Sequence, residues 1–191
     1  MNTLSVYLLK VKRMTLFASI SRVAVLGTCA ALAASSGVCA AADHLKNWSP
    51  PASRIYAQKL SEQIMSTHPE LISVTFHGVP PGQTDAYTMF AGSFPDRIGN
   101  ADDPDDIDIS KKGITILDPR WHRTNDTVKK FVMMLPLRDA SGENVGEIVI
   151  AYKNPADSGK TEKDFFLAAT HLRDRLMKKI PTYAALFEPA R

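Results

Sequence analysis

Apolar and polar positions fall into short blocks along this chain, and their period changes from block to block. After Ser53, Tyr56, Leu60 and Ile64 recur at helical spacing. Pro69 bounds that run, because the residue before a proline is pushed out of the α region. Leu71 to Phe76 alternates instead, with Ile72, Val74 and Phe76 set against Ser73 and Thr75, which predicts a strand. His77 to Asp85 is rich in Pro and Gly and reads as a loop. Ala86 to Ala91 predicts a second strand, with Tyr87 and Met89 on one side and Thr88 and Phe90 on the other. Ser93 to Asp103 is irregular. Pro104 to Lys112 predicts a short helix, with Pro in its first turn, acids early, lysines late and Gly113 as the stop. Ile114 to Leu117 begins a third strand, which Asp118-Pro119 breaks.

Val128 to Tyr152 carries the most information. Two apolar runs flank Asp139-Ala140-Ser141-Gly142, a turn cluster that predicts a hairpin. Gly142 can take positive φ without steric cost, and Asp139 can bond back to the turn backbone. Both runs are apolar at adjacent positions, so both strands are expected to be covered on both faces or nearly so. Beyond them, Thr161-x-x-Asp164 has the form of a capping box opening a last helix. Phe165, Ala169, Leu172 and Leu176 keep its period, and Pro181 closes it. Helix, two strands, short helix, three strands, helix is an α+β order, with strands in hairpins and helices to one side.

Residues 1–42 have the pattern of an export signal. Lys10, Lys12, Arg13 and Arg22 form a positive n-region, Val23 to Ala34 an apolar core, and Val38-Cys39-Ala40 or Ala40-Ala41-Ala42 a small-residue cleavage site. Met14 is as plausible a start as Met1. The apolar core is shorter than the roughly 20 residues that span a bilayer. Cleavage would leave a single domain, 43–191, outside the cytoplasm, periplasmic or secreted. It would also remove both cysteines, Cys29 and Cys39, so the domain would stand on its core without disulfides. Four of the 23 Lys and Arg go with the signal, leaving 19 against 20 Asp and Glu, a net of −1. The basic character of the whole chain is therefore no footprint for nucleic acid.

Arg97-Ile98-Gly99, the acidic segment Asp102 to Asp108 ending at Gly113, Leu135-Pro136-Leu137-Arg138-Asp139-Ala140-Ser141-Gly142 and Val145-Gly146 together resemble the periplasmic PAS-like sensor family known as Cache domains. Ile180-Pro181 and Leu186-Phe187 resemble small, free-standing members. The resemblance covers most of Ser53 to Phe187. It implies a five-stranded antiparallel sheet with a long N-terminal helix, a short inter-strand helix and a C-terminal helix, and a small-molecule pocket in front of the sheet. Unlike the receptor members, the given sequence carries no transmembrane helix or signalling module after the domain, so the expected signal passes through a separate partner.

Catalytic motifs are missing from the sequence. There is no Gly-x-Ser-x-Gly elbow, His-Glu-x-x-His pair or glycine-rich phosphate loop. The histidines show no close metal-ligand spacing, so no metal site or cofactor is expected. Asp102, Asp103, Asp105, Asp106 and Asp108 read as a solvated helix N-terminus, with a hard-cation site as the alternative. Strand parity supplies the candidate pocket: Tyr87 and Met89 from the second strand, Phe131 and Met133 from the fourth, with Arg97, Arg120 and His122 as nearby cations. An arginine there could clamp a carboxylate-bearing ligand. The expected function is an exported small-molecule-binding, sensor-like domain that acts without catalysis, signalling through a separate membrane partner. The alternative is an exported structural or interaction module with a filled core.

Overall fold

The computed structural model describes residues 45–119 and 127–191. The expected signal segment, and with it the cleavage site, lies outside them, as do Arg120 and His122. Among the described residues, no helix is long and apolar enough to cross a membrane.

The α+β architecture expected from the sequence is present. Helix α1 (Tyr56–Thr67) leads into strands β1 (Leu71–Gly78) and β2 (Thr88–Gly92). Helix α2 (Pro104–Lys112) and the short strand β3 (Ile116–Leu117) follow. The β4 (Lys130–Arg138) and β5 (Asn144–Lys153) hairpin precedes helix α3 (Glu162–Met177). The five strands form one sheet in the order β2-β1-β5-β4-β3, with antiparallel neighbours throughout.

Local chemistry explains most boundaries. Asp103 and Asp106 form a capping box at the start of α2, and Gly113 ends it in the left-handed conformation, φ 66° and ψ 24°. Thr161 and Asp164 cap α3 reciprocally. In the β4–β5 turn, Asp139 Oδ1 accepts from the backbone N–H of Ser141 at 2.9 Å and its hydroxyl at 2.6 Å, while Gly142 sits at φ 89°. β1 runs two residues further than the alternation suggests, so His77 belongs to a strand and not to the loop.

Both faces of the sheet are covered, which is why its strands read as nearly continuous apolar runs. On one face, Val74, Phe76, Phe131, Met133, Leu135, Ile148, Ile150 and Tyr152 pack with Leu60 and Ile64 of α1 and Phe165, Ala169 and Leu172 of α3. The stacked rings of Phe131 and Phe165, with centroids 4.5 Å apart, lie in this layer. On the front face, Val132, Met134 and Ala151 meet Ile109 of α2, with Ile72 and Val149 alongside. The front layer is thin, and α2 covers only part of it.

Contrary to the expectation from parity, Phe131 and Met133 do not face the front. They belong to the core between the sheet and α1 and α3. Each strand's alternation is as expected, but register decides which faces coincide. Irregularities between Leu71 and Ser73 and between Phe76 and His77 shift that register. The front position on β4 beside the site is Met134, paired with Val149.

Candidate functional site

The cavity in front of the sheet is about 260 Å³ and is lined by His77, Met89, Met134 and Val149 from the strands, Arg97, Asn100 and Ala101 from the loop after β2, and Asp102, Asp103 and Asp106 at the start of α2. A larger depression of about 430 Å³ lies between α1 and α3, with His68, Arg175 and Lys179 among its polar groups. His68 there is bonded to the Ile64 carbonyl at 3.0 Å, an ordinary helix-end contact. The chemistry lies in front of the sheet.

Register builds the centre of that site. His77 pairs with Met89 on one side and with Glu147 of β5 on the other, so all three side chains share the front face. His77 Nδ1 lies 2.7 Å from Asp102 Oδ1, and Nε2 lies 2.8 Å from the Thr75 hydroxyl. The Asp102 side chain is 1% exposed, and its second oxygen has no hydrogen-bond partner among the described residues. Asp106 reaches the same place from α2, where its Oδ2 also accepts from the Asp103 N–H at 3.0 Å. Gly146 precedes Glu147 at φ 148°, and a Cβ there would collide with the His77 carbonyl, so the absence of a side chain lets β5 close against β1 at this point.

Glu147 is the unusual member. It is 0% exposed, and neither carboxylate oxygen meets a hydrogen-bond donor among the described residues. Buried acids are rare unless paired, and an unpaired one carries its full desolvation cost. Burial drives its pKa up to about 9, against the smaller opposing pull of His77, so it holds a proton at neutral pH that it can share with the Asp106 carboxylate. Burial pushes the other way on His77, but Asp102 beside it wins, helped by Glu147 and Asp106, and the imidazole is raised to about 10. Burial also raises Asp102, with the His77 charge opposing it. Neutral Glu147 and imidazolium His77 therefore sit side by side. One ligand-type atom each from His77, Asp106 and Glu147 lies within 4.8 Å of the others.

The residues expected from sequence are scattered around this centre. Met89 and Arg97 line the cavity. Arg97 is exposed and lies over the Phe94 ring, 4.7 Å from its centroid. Tyr87 precedes β2, and its ring carries Lys111 at 4.9 Å. Phe131 and Met133 are on the other face, and Arg120 and His122 fall outside the described residues. His77 and Glu147 carry no motif in the sequence, and Asp102 and Asp106 stand out there only as part of the acidic patch. The acidic patch is more than a solvated helix N-terminus, because Asp102 and Asp106 turn toward His77. A signal for Glu147 existed: an acid inside Val145 to Tyr152, a strand expected to be covered on both faces. The triad comes from three distant elements, so no local spacing could reveal it.

No family model matches this sequence, and no curated protein sequence matches it. A solved structure of the type II free methionine-R-sulfoxide reductase from Thermoplasma acidophilum is similar, with a TM-score of 0.45 and 15% identity over 69% of this chain and 92% of that one. That structure is of an enzyme, in contrast to the expected sensor acting without catalysis. That similarity assigns no reaction to this chain.

Proposed function

We propose that this protein is an enzyme acting on a small molecule in the front cavity, with His77, Asp106 and Glu147 as its reactive groups. The observation that carries this is Glu147, sealed from water and meeting no hydrogen-bond donor among the described residues, beside His77 and Asp106, which line the cavity. A fold gains nothing in stability from such a group, and strongly perturbed ionisable residues in a cleft are functional-site candidates. The cavity, at about 260 Å³, is slightly smaller than the roughly 300–1,000 Å³ of typical small-molecule sites, so the substrate has few heavy atoms. Met89, Met134 and Val149 supply apolar wall, and Arg97 at the rim suits an anionic end such as a carboxylate.

Incubation of the purified protein with a defined panel of small carboxylic, amino and hydroxy acids, followed by mass spectrometry, tests this. At least one compound should be consumed by the parent and spared by Glu147→Gln, with both proteins showing the same circular dichroism. Consumption of nothing, or equal consumption by the two proteins, overturns the reading.

A further inference from the structure

We infer that the front cavity holds a divalent first-row transition-metal ion, ligated by the His77 imidazole and by the Asp106 and Glu147 carboxylates. This rests on the same cluster being the reactive centre, and it names what completes that centre.

The donor set has the right reach. An ion centred among three atoms no more than 4.8 Å apart lies within about 2.8 Å of each, and side-chain shifts of about 0.6–0.8 Å bring that to the 2.0–2.2 Å of zinc-type bonds. Binding would release to solvent the protons that His77 and Glu147 hold in the metal-free protein, and two carboxylates around a neutral imidazole then balance a dication. Glu147 supplies an independent observation: it is fully buried, both its oxygens lack a donor, and it stands beside the other two ligand atoms. A cation provides the partner that the described residues do not.

Asp102 strengthens the assignment. It holds His77 Nδ1 at 2.7 Å, the carboxylate–histidine arrangement that orients a metal-bound ring and raises its basicity. Nε2 is then the nitrogen left to donate its lone pair, and the Thr75 hydroxyl now bonded to it is the group that yields. One nitrogen and two oxygens favour a transition ion over calcium or magnesium, which prefer all-oxygen shells. Three protein ligands leave a coordination position open toward the cavity, as catalytic metal sites do.

The test is calorimetric titration of the chelator-treated full chain with Zn²⁺ and with Mn²⁺. One ion per chain should bind, with affinity reduced at least ~10-fold in Glu147→Gln and in Asp106→Asn, and ~10–100-fold in Asp102→Asn at unchanged stoichiometry. Asp106→Asn serves as the check if Glu147→Gln alters folding, because Asp106 is only partly buried on α2. Absence of binding, or binding that all three variants retain, overturns the metal site. Turnover by the metal-free protein would remove the metal and keep the enzyme, whereas tight binding with no compound consumed would keep the metal and remove the enzyme.

Discussion

His77 on β1 stands opposite Glu147 on β5 in the middle of the sheet, an imidazolium beside a protonated carboxyl. Asp102 holds the imidazole from the far side. Three ionisable groups share a space with little access to water, so their protonation states depend on one another. The consequences are measurable in the metal-free protein.

Both Glu147 and His77 have folded-state pKa values above their unfolded ones: about 9 against 4.5, and about 10 against 6.5. Between those limits the folded chain keeps protons that the unfolded chain has lost. Stability is therefore fully present below the unfolded values and falls as pH rises toward the folded ones. In chelator, the Tm should decline from about pH 5 to about pH 10. Glu147→Gln removes the carboxyl's share, so its profile should be flatter. At about pH 8 the variant should be more stable by ~2 kcal/mol or more, since one pKa unit is worth about 1.36 kcal/mol. A parent profile no steeper than the variant's would show that Glu147 is already ionised.

Asp102→Asn removes the main charge that keeps His77 protonated. The imidazole should then titrate more than about one unit lower, because burial alone disfavours its charged form. Histidine ring NMR follows this directly. Removing one partner of a buried pair should also cost about 3–5 kcal/mol at pH 6, where the imidazole would otherwise carry charge. An unmoved midpoint would mean that other groups hold the proton.

Gly146→Ala should destabilise more than Gly142→Ala. At Gly146 a Cβ runs into the His77 carbonyl, so β1 and β5 must separate beside the site, whereas at Gly142 a Cβ meets nothing within 4 Å. The second variant carries only backbone strain, on the order of 1–2 kcal/mol, and the first adds a steric clash. Denaturant midpoints at constant m-value rank the two. Equal midpoints would mean that the strands separate without cost.

Gly142→Val should cost about 1–3 kcal/mol, because a β-branched residue tolerates φ 89° poorly. Ser141→Ala loses one hydroxyl bond to Asp139, for about 0.5–1.5 kcal/mol. Chemical denaturation of the two variants should place valine lower. The reverse order would show that the Asp139–Ser141 bond, more than the glycine, holds the turn.

The sequence by itself determined the elements whose causes are local. Pro104 and Gly113 bound α2, Thr161 and Asp164 open α3, and Asp139 to Gly142 turn the hairpin, because caps and turns are contacts within a few residues. It also determined the α+β class, through the change from helical to alternating period. Tertiary structure alone decided the site. Alternation shows which residues share a face within one strand. It cannot show which faces of different strands coincide when both are apolar, and so Phe131 and Met133 went to the helix side while Met134 came to the front. The bulge between Phe76 and His77 sets the final register of β1 on β2, and the β1–β5 pairing sets His77 against Glu147. Asp102 and Asp106 arrive from another element, and only packing of α2 on the sheet brings them near. Their proximity is a property of the closed sheet and its cover, which no stretch of neighbouring residues encodes.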